Sequence, residues 1–158
     1  MNAENFMGNI DLKKIKSYAV SRFKLNSEIH GMQHWERVER NGLMLSQFDP
    51  QVNKRVVVLF AYLHDCERED DFEDEEHGLR SAEKLYDISE TLLADLSDED
   101  FDLLYTAIAS HNGGEKIGES TVDACFDADR LDLGRVGITL DPERMCTEKG
   151  KEIALEQL

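Results

Sequence analysis

The pair His64-Asp65 is the feature of this sequence that most directly suggests chemistry. It follows an unbroken apolar run, residues 56–63, so both side chains are expected beside the hydrophobic core. Burying an imidazole and a carboxylate is costly unless a partner compensates for the lost hydration, and a bound metal ion is the commonest partner of such a pair. Adjacent helical residues point about 100° apart, so both reach one ion only where the helix ends, near Cys66.

A second carboxylate candidate is Asp129, in the middle of three acids within residues 127–132. Most acidic runs form a solvated face, and Asp127 and Asp132 fit that interpretation. Asp129 instead lies between Ala128 and Leu131, which are expected to face the core. We therefore expect Asp129, alone of the three, to point inward.

Two further histidines, His30 and His34, have the spacing that places side chains on one face of a helix. Gly31 lies between them, so we expect His30 to precede the helix and His34 to lie on it. Taken alone, His34 would be interpreted as a structural histidine. The His64-Asp65 pair makes it a candidate ligand.

The elements that must position these residues are helices, because the apolar spacing is helical almost throughout and no alternating strand pattern is convincing. Ser97 followed by Asp100 fits a helix N-cap, and Gly113-Gly114 fits the end of that helix after His111. The predicted fold class is all-α, with helices over 10–24, 33–47, 51–65, 77–94, 97–111 and 120–134.

Length and charge limit the possible functions. The 158 residues predict one domain, 1–158, and a net charge of −16 argues against nucleic acid polymers and membranes as partners. The longest apolar run is about eight residues, against the roughly 20 that a bilayer span needs. An odd number of dispersed cysteines and the lack of a signal-peptide pattern predict a cytoplasmic protein. The oligomeric state stays open.

In order and local context, these residues resemble the H…HD…D signature of the HD-domain superfamily of metal-dependent phosphohydrolases. The matching segments are His30-Gly31-Met32-Gln33-His34-Trp35, Leu63-His64-Asp65 and Ala128-Asp129-Arg130-Leu131. The resemblance covers about residues 30–138 and is strongest to a compact bacterial branch. It implies a single-domain HD-type helical bundle.

The resemblance also implies a ligand set for one divalent ion: His34, His64, Asp65 and Asp129. Mixed nitrogen and oxygen donors suit Mn, Fe, Ni, Co or Zn better than Mg, which prefers oxygen alone. The implied chemistry is attack of a metal-activated water on phosphorus.

His77 and His111 occupy the places where some HD enzymes hold a second metal ion. The alternative is hydrogen bonding or general acid catalysis beside a single ion. Only 13 residues separate His64 from His77, fewer than in many dinuclear relatives. We expect one ion and leave the second open.

Arg68 is the first candidate for binding the phosphate, because a guanidinium can donate two parallel hydrogen bonds to phosphate oxygens. The alternative is that it pairs with nearby acids, namely Glu69, Asp71 or Asp74. Further candidate arginines are Arg37, Arg130 and Arg135.

The resulting prediction is a metal-dependent phosphohydrolase acting on a small phosphorylated metabolite, with a nucleotide favoured. One alternative is an HD-type di-iron oxygenase. The other is a binding module that senses a ligand through the metal pocket without turning it over. The sequence assigns no role to the tail, residues 139–158.

Overall fold

A computed structural model of the chain describes residues 6–27 and 29–158. The predicted domain 1–158 also includes the first five residues and Glu28, which lie outside the described residues. Every regular element in the described part is helical, as predicted. The α-helices are α1 (Leu12–Arg22), α2 (Met32–Ser46), α3 (Lys54–Leu63), α4 (His77–Lys84), α5 (Asp98–Ser110), α6 (Ser120–Arg130) and α7 (Glu148–Glu156).

Helix α3 forms the centre of the bundle, and α1, α2, α5 and α6 pack around it. All eight residues from Val56 to Leu63 are buried, which explains the continuous apolar run. The Asn53 side chain caps the helix by accepting a hydrogen bond from the backbone N–H of Val56. Gly42 lets α2 approach closely, since a Cβ at this position would overlap the Val57 side chain. Burial of this kind contributes roughly 1.5–3 kcal/mol for each large apolar side chain.

Two α-helices end four or more residues before their predicted ends. The predicted helix 77–94 ends at Lys84 and continues as a 3-10 turn, Leu85–Ile88. Leu85 and Ile88 are three residues apart, a spacing that places two side chains on one side of a 3-10 helix as readily as of an α-helix. Both are buried, so the apolar pattern was correct while the helix type was wrong. The predicted helix 120–134 likewise ends at Arg130, before a 3-10 turn at Leu133–Val136.

The tail is attached to the bundle by a buried carboxylate. Asp127 accepts hydrogen bonds from the backbone N–H groups of Cys146 and Thr147 and from the Thr147 hydroxyl. The prediction that Asp127 is solvated was wrong, because these donors from the tail compensate for its burial. The attachment lies between a 3-10 turn, Pro142–Arg144, and α7, neither of which the sequence predicted. No helix in the described part of the chain combines the length and apolar character that a membrane crossing requires.

Candidate metal centre

The candidate residues gather at the ends of the central helices. His64 is the C-cap of α3, and Asp65 follows it outside the helix, as the expected helix end required. His111 is the C-cap of α5, and His77 is the first residue of α4. The remaining two, His34 on α2 and Asp129 on α6, contact each other, with His34 Nε2 3.1 Å from Asp129 Oδ1.

The first donor group consists of the Nε2 atoms of His34 and His64, Oδ1 of Asp129 and Oδ2 of Asp65. The two Nε2 atoms are 3.3 Å apart, and Asp129 Oδ1 lies 3.1 Å from that of His34 and 3.5 Å from that of His64. Asp65 Oδ2 lies 3.5 Å and 3.2 Å from the same two nitrogens. Two ligand atoms each about 2.1 Å from one ion are about 3.0–3.4 Å apart, so the spacing fits a shared cation.

The second donor group consists of the Nε2 atoms of His77 and His111 and the other Asp65 oxygen, Oδ1. Asp65 Oδ1 lies 2.9 Å from His77 Nε2 and 3.4 Å from His111 Nε2, and the two nitrogens are 2.8 Å apart. Asp65 therefore presents one carboxylate oxygen to each group. The structure brings together all six residues that the sequence predicted as ligands.

In all four histidines, Nδ1 faces an acceptor, so Nε2 is the ring nitrogen that is directed at the donor groups. His64 Nδ1 donates to the carbonyl oxygens of Phe60 and Ala61, both at 3.0 Å. Nδ1 donates to the Asp132 carboxylate in His34, at 2.7 Å, and to backbone carbonyls in the other two histidines. Such contacts fix the tautomer that can bind a metal through Nε2.

Asp65 Oδ1 is buried and has no hydrogen-bond donor within the described residues. The nearest group, His77 Nε2, offers a lone pair, because the ring proton is on Nδ1 and bonded to the Asp74 carbonyl. A buried carboxylate oxygen facing a second acceptor is unfavourable unless a cation lies between them. The donor chemistry therefore fits metal binding on both sides of Asp65.

The electrostatics of the first donor group also favour a cation. Burial opposes charge on His34, but hydrogen bonds to Asp129, Asp132 and Asp65 outweigh it and raise its pKa to about 9. Burial likewise opposes charge on His64, yet Asp65 and Asp129 raise its pKa to about 10. The histidines in turn hold the pKa of Asp65 and of Asp129 well below the usual range, despite their burial.

A cavity of about 330 Å³ opens onto both donor groups. Arg68 lies on its wall, with Nη1 3.0 Å from His77 Nε2 and 3.9 Å from Asp65 Oδ1. Its other nitrogens donate to the backbone carbonyls of Asp70 and Asp71, so the predicted alternative, pairing with acidic side chains, is not what holds Arg68 in place. Arg135 lies on the same wall.

Three residues at the site were missed or misjudged from the sequence. Asp132 was predicted to be solvated but is buried, where it accepts hydrogen bonds from His34 Nδ1 and from Arg37 Nε at 2.7 Å each. Arg37 is thereby committed to this carboxylate. His30 lines the cavity, and its Nδ1 is 2.7 Å from Asp71 Oδ1. In the sequence, the one indication that His30 belongs to the site is its position four residues before His34.

The fold resembles the crystal structure, at 1.45 Å resolution, of a predicted HD superfamily hydrolase from an uncultured Thermotogales bacterium. The similarity covers 99% of this chain and 91% of that chain, with a TM-score of 0.75 and 24% sequence identity. No protein-family model and no curated protein matches the sequence. The chain therefore has the HD-domain fold, as the order of its histidines and aspartates predicted.

Proposed function

We propose that this protein is a metal-dependent phosphohydrolase acting on a small phosphorylated metabolite, with nucleotides as the favoured class. The observation that carries the proposal is the buried Asp65 carboxylate, which has two imidazole Nε2 atoms on each side and no hydrogen-bond partner at Oδ1 among the described residues. The fold shared with a predicted HD superfamily hydrolase supports it.

The proposed ligands of one divalent ion are the first donor group, and those of a second ion are the second donor group. Two imidazoles and two carboxylates suit Mn, Fe, Ni, Co or Zn. Such an ion, when bound, supplies a Lewis acid that lowers the pKa of water and polarises a phosphoryl oxygen.

The substrate's phosphate is proposed to lie between Arg68 and Arg135, because both guanidinium groups line the cavity that opens onto the donor groups. Both side chains are largely buried, at 11% and 12% exposure, so their charge is only weakly screened by solvent. Hydrolysis forms a bond from a water oxygen to phosphorus, breaks the bond to the leaving oxygen, and returns a proton to that oxygen.

The deciding experiment combines metal analysis of the purified protein with a screen of phosphorylated metabolites, each assayed with Mn, Ni, Co, Fe or Mg. We expect bound transition metal and metal-dependent release of inorganic phosphate. Arg68→Met should raise KM for the best substrate by at least tenfold, because it removes a charged contact to the phosphate.

Two results would overturn the proposal in favour of its rivals. Two bound irons with oxygen consumption and no released phosphate would indicate an oxygenase. Tight binding of a phosphorylated ligand without turnover, under every metal tested, would indicate a sensor module.

A further inference from the structure

A second cavity, of about 520 Å³, adjoins the candidate metal centre. It shares His111, Asn112, Asp129 and Arg135 with the first cavity, so the two spaces meet at the donor groups. Its far wall is built from residues 133–145, which include part of the tail. The volume lies within the range of 300–1,000 Å³ typical of small-molecule sites.

Half of the lining residues in this wall are apolar, and α7 packs behind two of them. Leu133, Ile138, Leu140 and Met145 line it. Leu140 and Met145 are 4% and 3% exposed and pack with Ala154 of α7 in a small hydrophobic cluster. Ile138, by contrast, is 51% exposed, so its side chain is available to a ligand in the cavity.

Arginines add positive charge to the second cavity. Arg130 donates to the carbonyl oxygens of Arg144 and Gly113, and none of the ion pairs among the described residues involves it. Arg144 is largely exposed, with Asp141 3.9 Å away. Arg135 belongs to the walls of both cavities and so lies where the two meet.

Part of the first cavity's wall belongs to the loop 67–76, in which Arg68 is the one basic residue. Eight of the ten residues 67–76 are acidic. The aromatic side chain there, Phe72, is 83% exposed and stands alone among these acids. An anionic ester with a large organic group is repelled by this loop and attracted to the arginine-bearing wall.

We infer that the second cavity binds the leaving group of the substrate, and that the substrate is a phosphomonoester of a bulky, ring-bearing alcohol of about nucleoside size. The inference rests on the proposed function, because it places the phosphate between Arg68 and Arg135. Because Arg135 lines both cavities, an organic group attached to this phosphate can extend past Arg135 to Ile138 in the second cavity. Esters of small alcohols do not contact Ile138, so this wall adds nothing to their binding affinity.

The test uses two stable phosphonates, 1-naphthylmethylphosphonate and methylphosphonate, which share the anionic head and differ in the ring. Their dissociation constants are measured by calorimetry on the manganese-loaded protein and on the metal-free protein. The wild type is expected to bind the naphthyl compound at least tenfold more tightly. Ile138→Trp, which fills the cavity, should abolish that preference and leave methylphosphonate binding within twofold.

Val136→Trp is the matched control, since Val136 is 42% exposed, two residues away and outside the lining of both cavities. It should change neither dissociation constant. The inference is overturned if the wild type shows no preference for the ring, if both tryptophan variants behave alike, or if Phe72→Ala rather than Ile138→Trp removes the preference. Phosphate release from esters in any of those cases would leave the proposed function standing. Ring preference without release from any ester would overturn the proposed function alone.

Discussion

The two donor groups share Asp65 but are built differently. The first has four donor atoms, and one of its histidines, His34, is held by the charged carboxylate of Asp132. The second has three donor atoms, and the Nδ1 atoms of its histidines, His77 and His111, donate to backbone carbonyls. Burial lowers the pKa of His111, whereas the carboxylates raise that of His34.

This difference predicts unequal affinity for a cation. The first group has two carboxylates and the second has one, so the first attracts a cation more strongly. A carboxylate that accepts a hydrogen bond from Nδ1 also makes a histidine a stronger ligand. In addition, the Arg68 guanidinium lies against the His77 ring and repels a second cation. We therefore expect the first donor group to bind its ion more tightly than the second.

The largest effect is expected from Asp65→Ala, because Asp65 is the residue common to both groups. Both ions should be lost and phosphate release should fall to background, while the helical content persists. Metal analysis, activity and circular dichroism measure these outcomes. Asp123→Asn is the control, since Asp123 is also buried but accepts its hydrogen bonds from Ile117 and Gly118. Phosphatase activity in Asp65→Ala would show that the site is assigned wrongly.

Substituting one histidine in each donor group tests whether the two groups differ in their affinity for a cation. His77→Gln should leave one tightly bound ion per chain and lower kcat by roughly 10²-fold to 10³-fold, equivalent to several kcal/mol of transition-state stabilisation. His64→Gln should lose the tight ion and nearly all activity. Metal titrations followed by calorimetry distinguish the two variants. Equal losses of metal in both would mean that the groups act as one site.

That the candidate residues meet could be predicted from the sequence, because each lies on a helix or directly after one. A run of eight buried residues ends at His64-Asp65, and the spacing of Ala128 and Leu131 turns Asp129 inward. These are local properties of one helix each. For the same reason the all-α class and the helix bounds near Ser97 and His111 could be predicted.

Asp127 and Asp132 could not be predicted, because their burial depends on distant partners. Asp132 meets His34 across 98 residues, and Asp127 meets backbone donors of the tail. A solvated acid and a buried one look alike in sequence when the compensating group is far away. The tail had no assigned role for a similar reason, since its buried residues Leu140, Met145 and Ala154 form a small cluster of their own.

An intermediate effect is expected at Asp132, which orients His34. Asp132→Ala removes the acceptor and should weaken the tight ion by about 10-fold to 100-fold. Asp132→Asn keeps an oxygen that can accept from Nδ1 and should cost less. Competition with a fluorescent chelator measures both affinities. If the alanine variant bound the tight ion with unchanged affinity, the Asp132–His34 hydrogen bond would not be the reason that the first donor group binds its ion more tightly.

The smallest effect is expected at Arg80, the counterpart of Asp132 behind the second donor group. Arg80 donates to the Asp74 carboxylate at 2.6 Å, and the carbonyl oxygen of Asp74 holds His77 Nδ1. Arg80→Met removes a partly exposed ion pair, worth about 1 kcal/mol or less, so affinity for the second ion should fall about fivefold at most. The first ion should bind as before, because Arg80 touches none of its ligands. A loss at the first group instead would mean that the loop carrying Asp74 supports both groups through Asp65.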